Sequence, residues 1–344
     1  MRTLQWFRVL MVTTLLASAA VHSATPAGPP AAQSIIDALS RANAAVVGVE
    51  VKAAEGAKSI QTLGAQRSGS GVVIGQDGLI LTIGYLMLEA QEIRIVTQDN
   101  KVYPARPVAY DLATGFGLVQ SLLPLRGVQP VELGSHREVE PGEPLLTATG
   151  AQADDDADVA MTQLVSKRPF SGYWEYHIET ALFTSPPIGN HSGAPLFNQK
   201  GELLGIGSLF VMDALGDSRR LPGNMFVPVD LLKPILAELR QTGSTKLSHR
   251  PWLGLTSTEQ GGRVQVVRVS QESPAQDAGL KTGDVVLAVD GTKVSTLETF
   301  YKKVWDRPDP NGEVELTVLQ GADIRTVKIK AVDRMNTMLK PAGI

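Results

Sequence analysis

The sequence predicts a mainly β protein with two domains. From Val46 to about Phe226, short apolar runs such as VVGVEV, GVVIG and LILT alternate with glycines, and almost no helical periodicity is present. Strands at this spacing favour a closed β-barrel or a sandwich. A polar stretch, TGSTKLSHRP at 242–251, predicts a linker. Residues 252–335 then hold about five further strands and one helix, which is enough for a compact domain of their own.

Residues 1–24 have the organisation of a secretory signal peptide. Two arginines precede an apolar run from Val9 to Ala20, and small residues follow it. The alternative is an uncleaved membrane anchor, but the run is shorter than the ~20 apolar residues that span a bilayer. With a Pro/Ala-rich spacer at 25–33, the segment predicts a periplasmic or otherwise exported protein of the bacterial envelope.

Three helices are predicted along the rest of the chain. Apolar residues at helical spacing in SIIDALSRANAA, which begins at Ser34, predict a short helix before the first strand. After the strand region, Asp230 is the expected N-cap of a helix in LLKPILAELRQ. In the second domain we expect a helix from Thr296 to about Trp305, capped by Ser295.

Composition limits the classes of function. The chain has 344 residues, 43% hydrophobic and 19% charged, as in ordinary globular proteins. A net charge of −3 gives no electrostatic basis for nucleic-acid binding, and the absence of cysteine excludes disulfides and cysteine nucleophiles. We predict no cofactor and no metal. The acidic run at 154–156 with Asp158 lacks the alternating ligands and glycine of a calcium loop, so we expect a solvated surface loop there.

Two segments of the second domain, SPAQDAGLKTGDVVLAVDGTKV and WLGL at 252–255, resemble a PDZ domain of bacterial envelope proteases. The resemblance implies that Trp252, Leu253, Gly254 and Leu255 form a loop whose backbone N–H groups bind a peptide carboxylate, while the peptide adds as a strand to a sheet edge. Phe300 on the predicted helix is expected to line the groove. The alternative is a PDZ fold that serves only as a structural spacer.

Three segments of the first domain are SGSGVVIGQDGLILT at 68–82, PPIGNHSGAPLFNQKGELLGIGS at 186–208 and FVPVDLLKPIL at 226–236. In this order they resemble the trypsin-like domain of the HtrA/Deg serine proteases. The resemblance covers 34–241 and implies a double six-stranded β-barrel with an active-site cleft, followed by the PDZ domain and a tail at 336–344. It also implies unfolded or peptide substrates and a tendency to form trimers.

The catalytic residues of that family are only partly present. NHSGAPL at 190–196 carries Ser192 at the nucleophile position, and the amides of Asn190 and Ser192 are the expected oxyanion hole. The family's histidine lies in a T-N-x-H-V pattern after GLILT, where this chain has Tyr85. The family's aspartate lies in a D-x-x-x-D-φ-A pattern, with φ apolar, where this chain has Gly115. Only the serine remains of the implied triad.

This departure bears directly on the chemistry. In such a triad the histidine takes the serine proton and the aspartate orients the histidine. Tyrosine, with a pKa near ~10, is a poor base at neutral pH. Of the remaining histidines outside the leader, only His177, on the strand leading to the Ser192 turn, is a candidate substitute base. We expect the other three to be solvated or locally hydrogen-bonded: His136, His191 and His249.

The sequence leaves three functions open. The favoured hypothesis is a pseudoprotease that binds extended or C-terminal peptide segments of envelope proteins, as a chaperone, an adaptor or a regulator of an active protease relative. The main alternative is an active serine endopeptidase that uses Ser192 with an unidentified base. The third is a structural envelope component without a peptide ligand. A fold resemblance does not choose between them, because function resides in the site.

Overall fold

The computed structural model describes residues 32–152, 157–216 and 219–339. The predicted leader, most of the spacer and the acidic run at 154–156 lie outside these residues. Within the described ranges, no helix is both long enough and apolar enough to cross a bilayer.

Six antiparallel strands form a first closed barrel, in the spatial order β1-β2-β3-β6-β5-β4. Glycines and short turns separate these strands, as the alternation of apolar runs and glycines predicts. The interior is filled by aliphatic side chains, and all five residues of the third strand, LILTI, are buried. The strand bounds are β1 Val46–Ala53, β2 Gln66–Val73, β3 Leu79–Ile83, β4 Ala90–Val96, β5 Val102–Tyr110 and β6 Phe116–Ser121.

A second closed barrel of six strands follows, in the order β10-β11-β12-β9-β8-β7. The two barrels touch where the backbones at Gly48 and Gly150 cross. A Cβ atom built on Gly48 would lie 1.8 Å from the Ala151 carbonyl oxygen, so only glycine allows this approach. The double-barrel prediction is confirmed. The strand bounds are β7 Pro144–Ala148, β8 Val159–Gly172, β9 Tyr176–Ser185, β10 Pro195–Phe197, β11 Leu203–Val211 and β12 Gly223–Pro228.

The helices agree with the sequence in place but not in their caps. Helix α1, Ala32–Ala44, confirms the first prediction. The Asp230 prediction is wrong: the chain forms a 3-10 turn there, and α3 begins only at Leu236. The Asp230 carboxylate instead accepts hydrogen bonds from the Ser135 hydroxyl (2.8 Å) and the His136 amide (2.9 Å), which tie two distant loops together. The bounds are α2 Ile60–Leu63 and α3 Leu236–Thr242.

The PDZ domain has a sheet of order β14-β15-β16-β18-β19, and β17 pairs with β16. Strand β14 is at the edge of this sheet. The long helix α5 begins at Leu297 with Thr296 as its N-cap, so the Ser295 prediction is wrong by one residue; Thr296 and Thr299 form a reciprocal capping box. The bounds are β13 Pro251–Trp252, β14 Leu255–Gln260, β15 Arg263–Val269, α4 Pro274–Asp277, β16 Val285–Val289, β17 Thr292–Lys293, α5 Leu297–Trp305, β18 Glu313–Gln320, β19 Asp323–Lys330 and β20 Val332–Asp333.

The segment between the domains is buried in part. Thr245 and Ser248 are 3% and 0% exposed. Their hydroxyls both donate to one carboxylate oxygen of Asp111 at 2.5 Å, and the Thr114 amide donates to the other at 2.9 Å. Asp111 is itself fully buried. The stretch predicted as a polar linker is therefore packed between the two domains and binds the buried Asp111 carboxylate.

We expect Asp111→Asn to lower the free energy of unfolding by about 2–3 kcal/mol, because hydrogen bonds to a charged acceptor are worth about 1.5–3 kcal/mol each and the amide nitrogen cannot accept. Urea denaturation measures the change. Asp99→Asn, at a group whose side chain is 57% exposed, is the matched control. A midpoint equal to that of the control would contradict a structural role for the Asp111 carboxylate.

Candidate functional site

Ser192 lies on the connection between β9 and β10, on a turn that the first barrel holds in place. The Ser192 carbonyl accepts a hydrogen bond from the Ser70 amide at 2.8 Å. The Gly193 amide donates to the Gly207 carbonyl, also at 2.8 Å. Gly193 has φ +77, and a Cβ there would lie 2.0 Å from the Ser70 carbonyl oxygen. The glycine is thus required by a close backbone approach, and the turn presents Ser192 at the contact of the two barrels.

Tyr85, the residue that the family resemblance aligns with the catalytic histidine, contacts the serine directly. It lies on the 3-10 turn Gly84–Met87, which follows β3. Its hydroxyl donates to Ser192 Oγ at 2.7 Å and lies 3.0 Å from the Ser208 carbonyl oxygen. The carbonyl can only accept, whereas the Ser192 hydroxyl can also donate, so the one phenol proton serves both contacts.

Burial raises the pKa of Tyr85 to about 12. At pH 7 only about one molecule in 10⁵ therefore carries a phenolate. The side chain that contacts Ser192 is a proton donor at neutral pH, whereas a nucleophilic serine needs a proton acceptor.

Gly115 lies beside this position and supplies no side chain. Its carbonyl accepts from the Gly84 amide at 2.7 Å, which places it against the turn that carries Tyr85. Gly115 has φ +85, and a Cβ there would have Tyr176 Oη as its nearest neighbour, at 3.5 Å. The nearest carboxylate in sequence, Asp111, is used at the domain junction. No acidic group thus comes from the position where the family has its aspartate.

The histidines are engaged elsewhere. Across the described ranges, no hydrogen bond joins a histidine to Ser192 or Tyr85. The candidate substitute base, His177, is buried on β9 with its ring toward α5, and burial lowers its pKa. The ring-nitrogen partners are Asp230 for His136 (2.6 Å), Ser171 for His177 (2.9 Å), Gly189 O for His191 (2.9 Å) and Asp333 for His249 (2.7 Å).

One group of side chains has the spacing of metal ligands. Ligand atoms of His177, Glu179 and Glu298 lie within 4.8 Å of one another. The ammonium of Lys302 lies 2.7 Å from both carboxylates, so a cation of the protein already fills the space between them. We interpret the group as an ion-pair cluster that joins β9 to α5.

The backbone donors of the loop at 252–255 bind a carboxylate of the same chain. The amides of Leu253, Gly254 and Leu255 donate to the Glu175 side chain at 3.2, 2.8 and 2.9 Å. Gly254 has φ +85, and a Cβ there would lie 2.3 Å from the Cβ of Ser273, so the loop requires glycine.

The predicted groove residue Phe300 and the predicted loop residue Trp252 make other contacts. Phe300 is 1% exposed and packs in the PDZ core, while its neighbour Tyr301 donates from its hydroxyl to the Gly172 carbonyl at 2.8 Å. Trp252 pairs with Val332 and stacks under the Arg334 guanidinium, 4.2 Å from the ring centre. Sequence reasoning missed Tyr301, since helical phase alone does not separate groove from core.

Sequence reasoning also missed Glu175. The only local signal is an acidic residue within an aromatic turn, GYWEY. Nothing in that pattern indicates a partner 79 residues away in the sequence.

Comparisons with known proteins agree with this architecture. The family model described as a trypsin-like peptidase domain matches residues 69–206, and the PDZ domain model matches residues 251–331. A solved HtrA-type protease, AlgW with tripeptide, covers 90% of this chain and 99% of its own at 21% identity, with a TM-score of 0.53. The serine endoprotease from Yersinia pestis covers 89% of this chain and 99% of its own at 22% identity, with a TM-score of 0.52. These structural similarities support the fold.

Curated relatives are similar over most of the chain. A probable periplasmic serine endoprotease DegP-like from Halomonas elongata is 27% identical over 280 residues, which cover 77% of this chain and 56% of that protein. Its counterpart from Ectopseudomonas mendocina is 29% identical over 281 residues, which cover 77% of this chain and 56% of that protein. Serine protease HTRA1 from Xenopus laevis is 27% identical over 283 residues, which cover 74% of this chain and 57% of that protein. The chain spans about half the length of the curated relatives it matches.

Proposed function

We propose that this chain, which matches the models of a trypsin-like peptidase domain and a PDZ domain and is similar to DegP-like endoproteases, is an exported pseudoprotease that binds peptide segments of envelope proteins. The observation that carries this proposal is the hydrogen bond from Tyr85 to Ser192 Oγ. A protonated phenol stands where the general base is needed, and Gly115 leaves no group to orient a base.

The expected loss of catalysis is large. In subtilisin, removing the serine or the histidine alone costs about 2 × 10⁶ in turnover, which corresponds to about 8–9 kcal/mol of transition-state stabilisation. A residual acceleration of about 10³–10⁴ over water comes from the oxyanion hole and substrate binding in such variants. We assign the same residual role to the amides of Asn190 and Ser192.

Peptide binding is the function that we assign to the PDZ domain. Three backbone donors converge at 252–255, and the adjoining strand β14 lies at a sheet edge, as strand addition requires. Partners are then proteins of the envelope with unfolded segments or free C-termini, an active protease relative among them. The predicted leader and the curated relatives described as periplasmic support export.

We expect the purified protein to remain unlabelled by a fluorophosphonate probe, because the probe reacts only with an activated serine. An active trypsin-like protease in the same tube is the positive control, and Ser192→Ala sets the background. Cleavage of an unfolded substrate that disappears in Ser192→Ala would instead establish the alternative, an active endopeptidase with another base.

A further inference from the structure

The carboxylate-binding loop of the PDZ domain already contains a ligand-like group. The carboxylate of Glu175, at the tip of the β8–β9 hairpin, accepts three amide hydrogen bonds from the loop, at 2.8 to 3.2 Å. Glu175 is 7% exposed, so its charge is desolvated there. A peptide with a free C-terminus would offer the same chemical group to the same donors.

The backbone before Glu175 also follows the path of a peptide ligand. The Tyr173 carbonyl accepts from the Ser257 amide of the edge strand β14 at 2.9 Å. The Gly172 carbonyl accepts from Tyr301 on α5 at 2.8 Å. The hairpin tip therefore lies between the strand and the helix that border a PDZ groove, and it adds a backbone hydrogen bond to the open sheet edge.

The contact forms although two features of Glu175, its backbone conformation and its burial, are unfavourable. Glu175 has φ +59, a left-handed conformation that is uncommon for a residue with a long side chain. A buried carboxylate without partners is strongly destabilising. Burial raises the pKa of Glu175, and the three amides and the positive charge of Arg334 oppose that rise. Arg250 donates to the Glu175 carbonyl at 3.2 Å.

We propose that Gly172–Glu175 is an internal ligand of the PDZ domain, and that a partner with a free C-terminal carboxylate binds by displacing it. The inference rests on the proposed peptide binding, and it adds that Glu175 competes with the peptide for the loop. Glu175 and the partner's carboxylate use the same donors, so they exclude each other. The apparent affinity for a peptide is then reduced by the fraction of molecules in which the loop is open.

Two variants remove the internal ligand in different ways. Glu175→Gln keeps the shape but loses the charge and one acceptor. Glu175→Gly removes the side chain and suits the left-handed turn, so it guards against misfolding of the hairpin. Glu132→Gln makes the same charge change at an exposed position and is the matched control.

Hydrogen exchange measures the internal ligand without any peptide. In the unsubstituted protein and in the control, the amides of Leu253, Gly254 and Leu255 should exchange slowly. In Glu175→Gly all three amides should exchange at least about 10-fold faster, because their acceptor is lost. In Glu175→Gln the Leu253 amide should exchange faster, because the side-chain nitrogen that replaces its acceptor oxygen cannot accept. Unchanged exchange of these amides in folded Glu175→Gly would overturn the internal ligand, whatever the outcome for peptides.

Peptide binding to the whole protein tests the displacement. A labelled library of peptides with apolar C-termini, free or amidated, is titrated by fluorescence polarisation. We expect free peptides to bind both Glu175 variants about 10- to 100-fold more tightly than the unsubstituted protein, as for a loop open in about 1–10% of molecules, and amidated peptides to bind far more weakly. Equal affinity in all proteins would refute displacement while leaving peptide binding intact. No binding to either variant, with fast loop exchange, would refute peptide binding and leave the internal contact standing.

Discussion

The double variant Tyr85→His, Gly115→Asp is expected to hydrolyse an unfolded substrate about 10⁴-fold faster than the single variant Tyr85→His. The single change supplies an imidazole next to Ser192, but nothing fixes its tautomer. Loss of the orienting aspartate alone costs about 10⁴ in turnover in a working triad. The second change supplies that carboxylate.

The structure allows this repair. A Cβ at Gly115 meets no atom closer than 3.5 Å, and aspartate is among the residues that tolerate a positive φ. The Gly115 carbonyl accepts a hydrogen bond from the Gly84 amide, so the backbone of residue 115 lies against the turn that carries residue 85. The imidazole is shorter than the phenol, and the Ser192 hydroxyl has to turn toward it.

Turnover of an unfolded protein substrate measures the effect, and Ser192→Ala in the double-variant background is the control for contaminating proteases. Equal turnover in the single and the double variant would show that the aspartate position is not at residue 115. The same comparison with a fluorophosphonate probe reports on the serine alone, independently of substrate binding.

Gly193→Ala is expected to destabilise the barrels by more than about 4 kcal/mol, at the extreme of single substitutions. The new Cβ would lie 2.0 Å from the Ser70 carbonyl oxygen and 2.6 Å from the Thr82 hydroxyl, at a residue with φ +77. Both neighbours belong to buried strands of the first barrel, so neither can withdraw without breaking the Ser70–Ser192 hydrogen bond.

Gly189→Ala is the matched control, because a Cβ at Gly189 meets no atom within 4 Å. In denaturant unfolding, the free energy of unfolding of the control should lie within about 0.5–1 kcal/mol of that of the unsubstituted protein. The Gly193→Ala protein should be largely unfolded or far less stable. Similar stability of the two variants would mean that the turn at Ser192 can move away from the first barrel.

Much of the architecture was predictable because its signals are local. The alternation of apolar runs and glycines indicated a barrel, and the family motifs placed two six-stranded barrels before a PDZ domain. Caps were predicted less well. Asp230 has the right residue type for a cap, but its carboxylate is drawn to Ser135 and His136 by tertiary contacts. At α5 the reciprocal bonds of Thr296 and Thr299 set the start of the helix one residue later than predicted.

The sequence by itself determined the residues that the resemblance aligns with the family's triad, since Ser192, Tyr85 and Gly115 are read from contiguous motifs. Only the tertiary structure decided what those residues contact. Tyr85 donates to a serine 107 residues away, and Glu175 reaches a loop 79 residues away in another domain. In both contacts the two partners lie far apart in the sequence, so no local sequence motif contains both of them. They form because packing of the barrels and the PDZ domain buries these polar groups, and a buried donor or acceptor without a partner is costly.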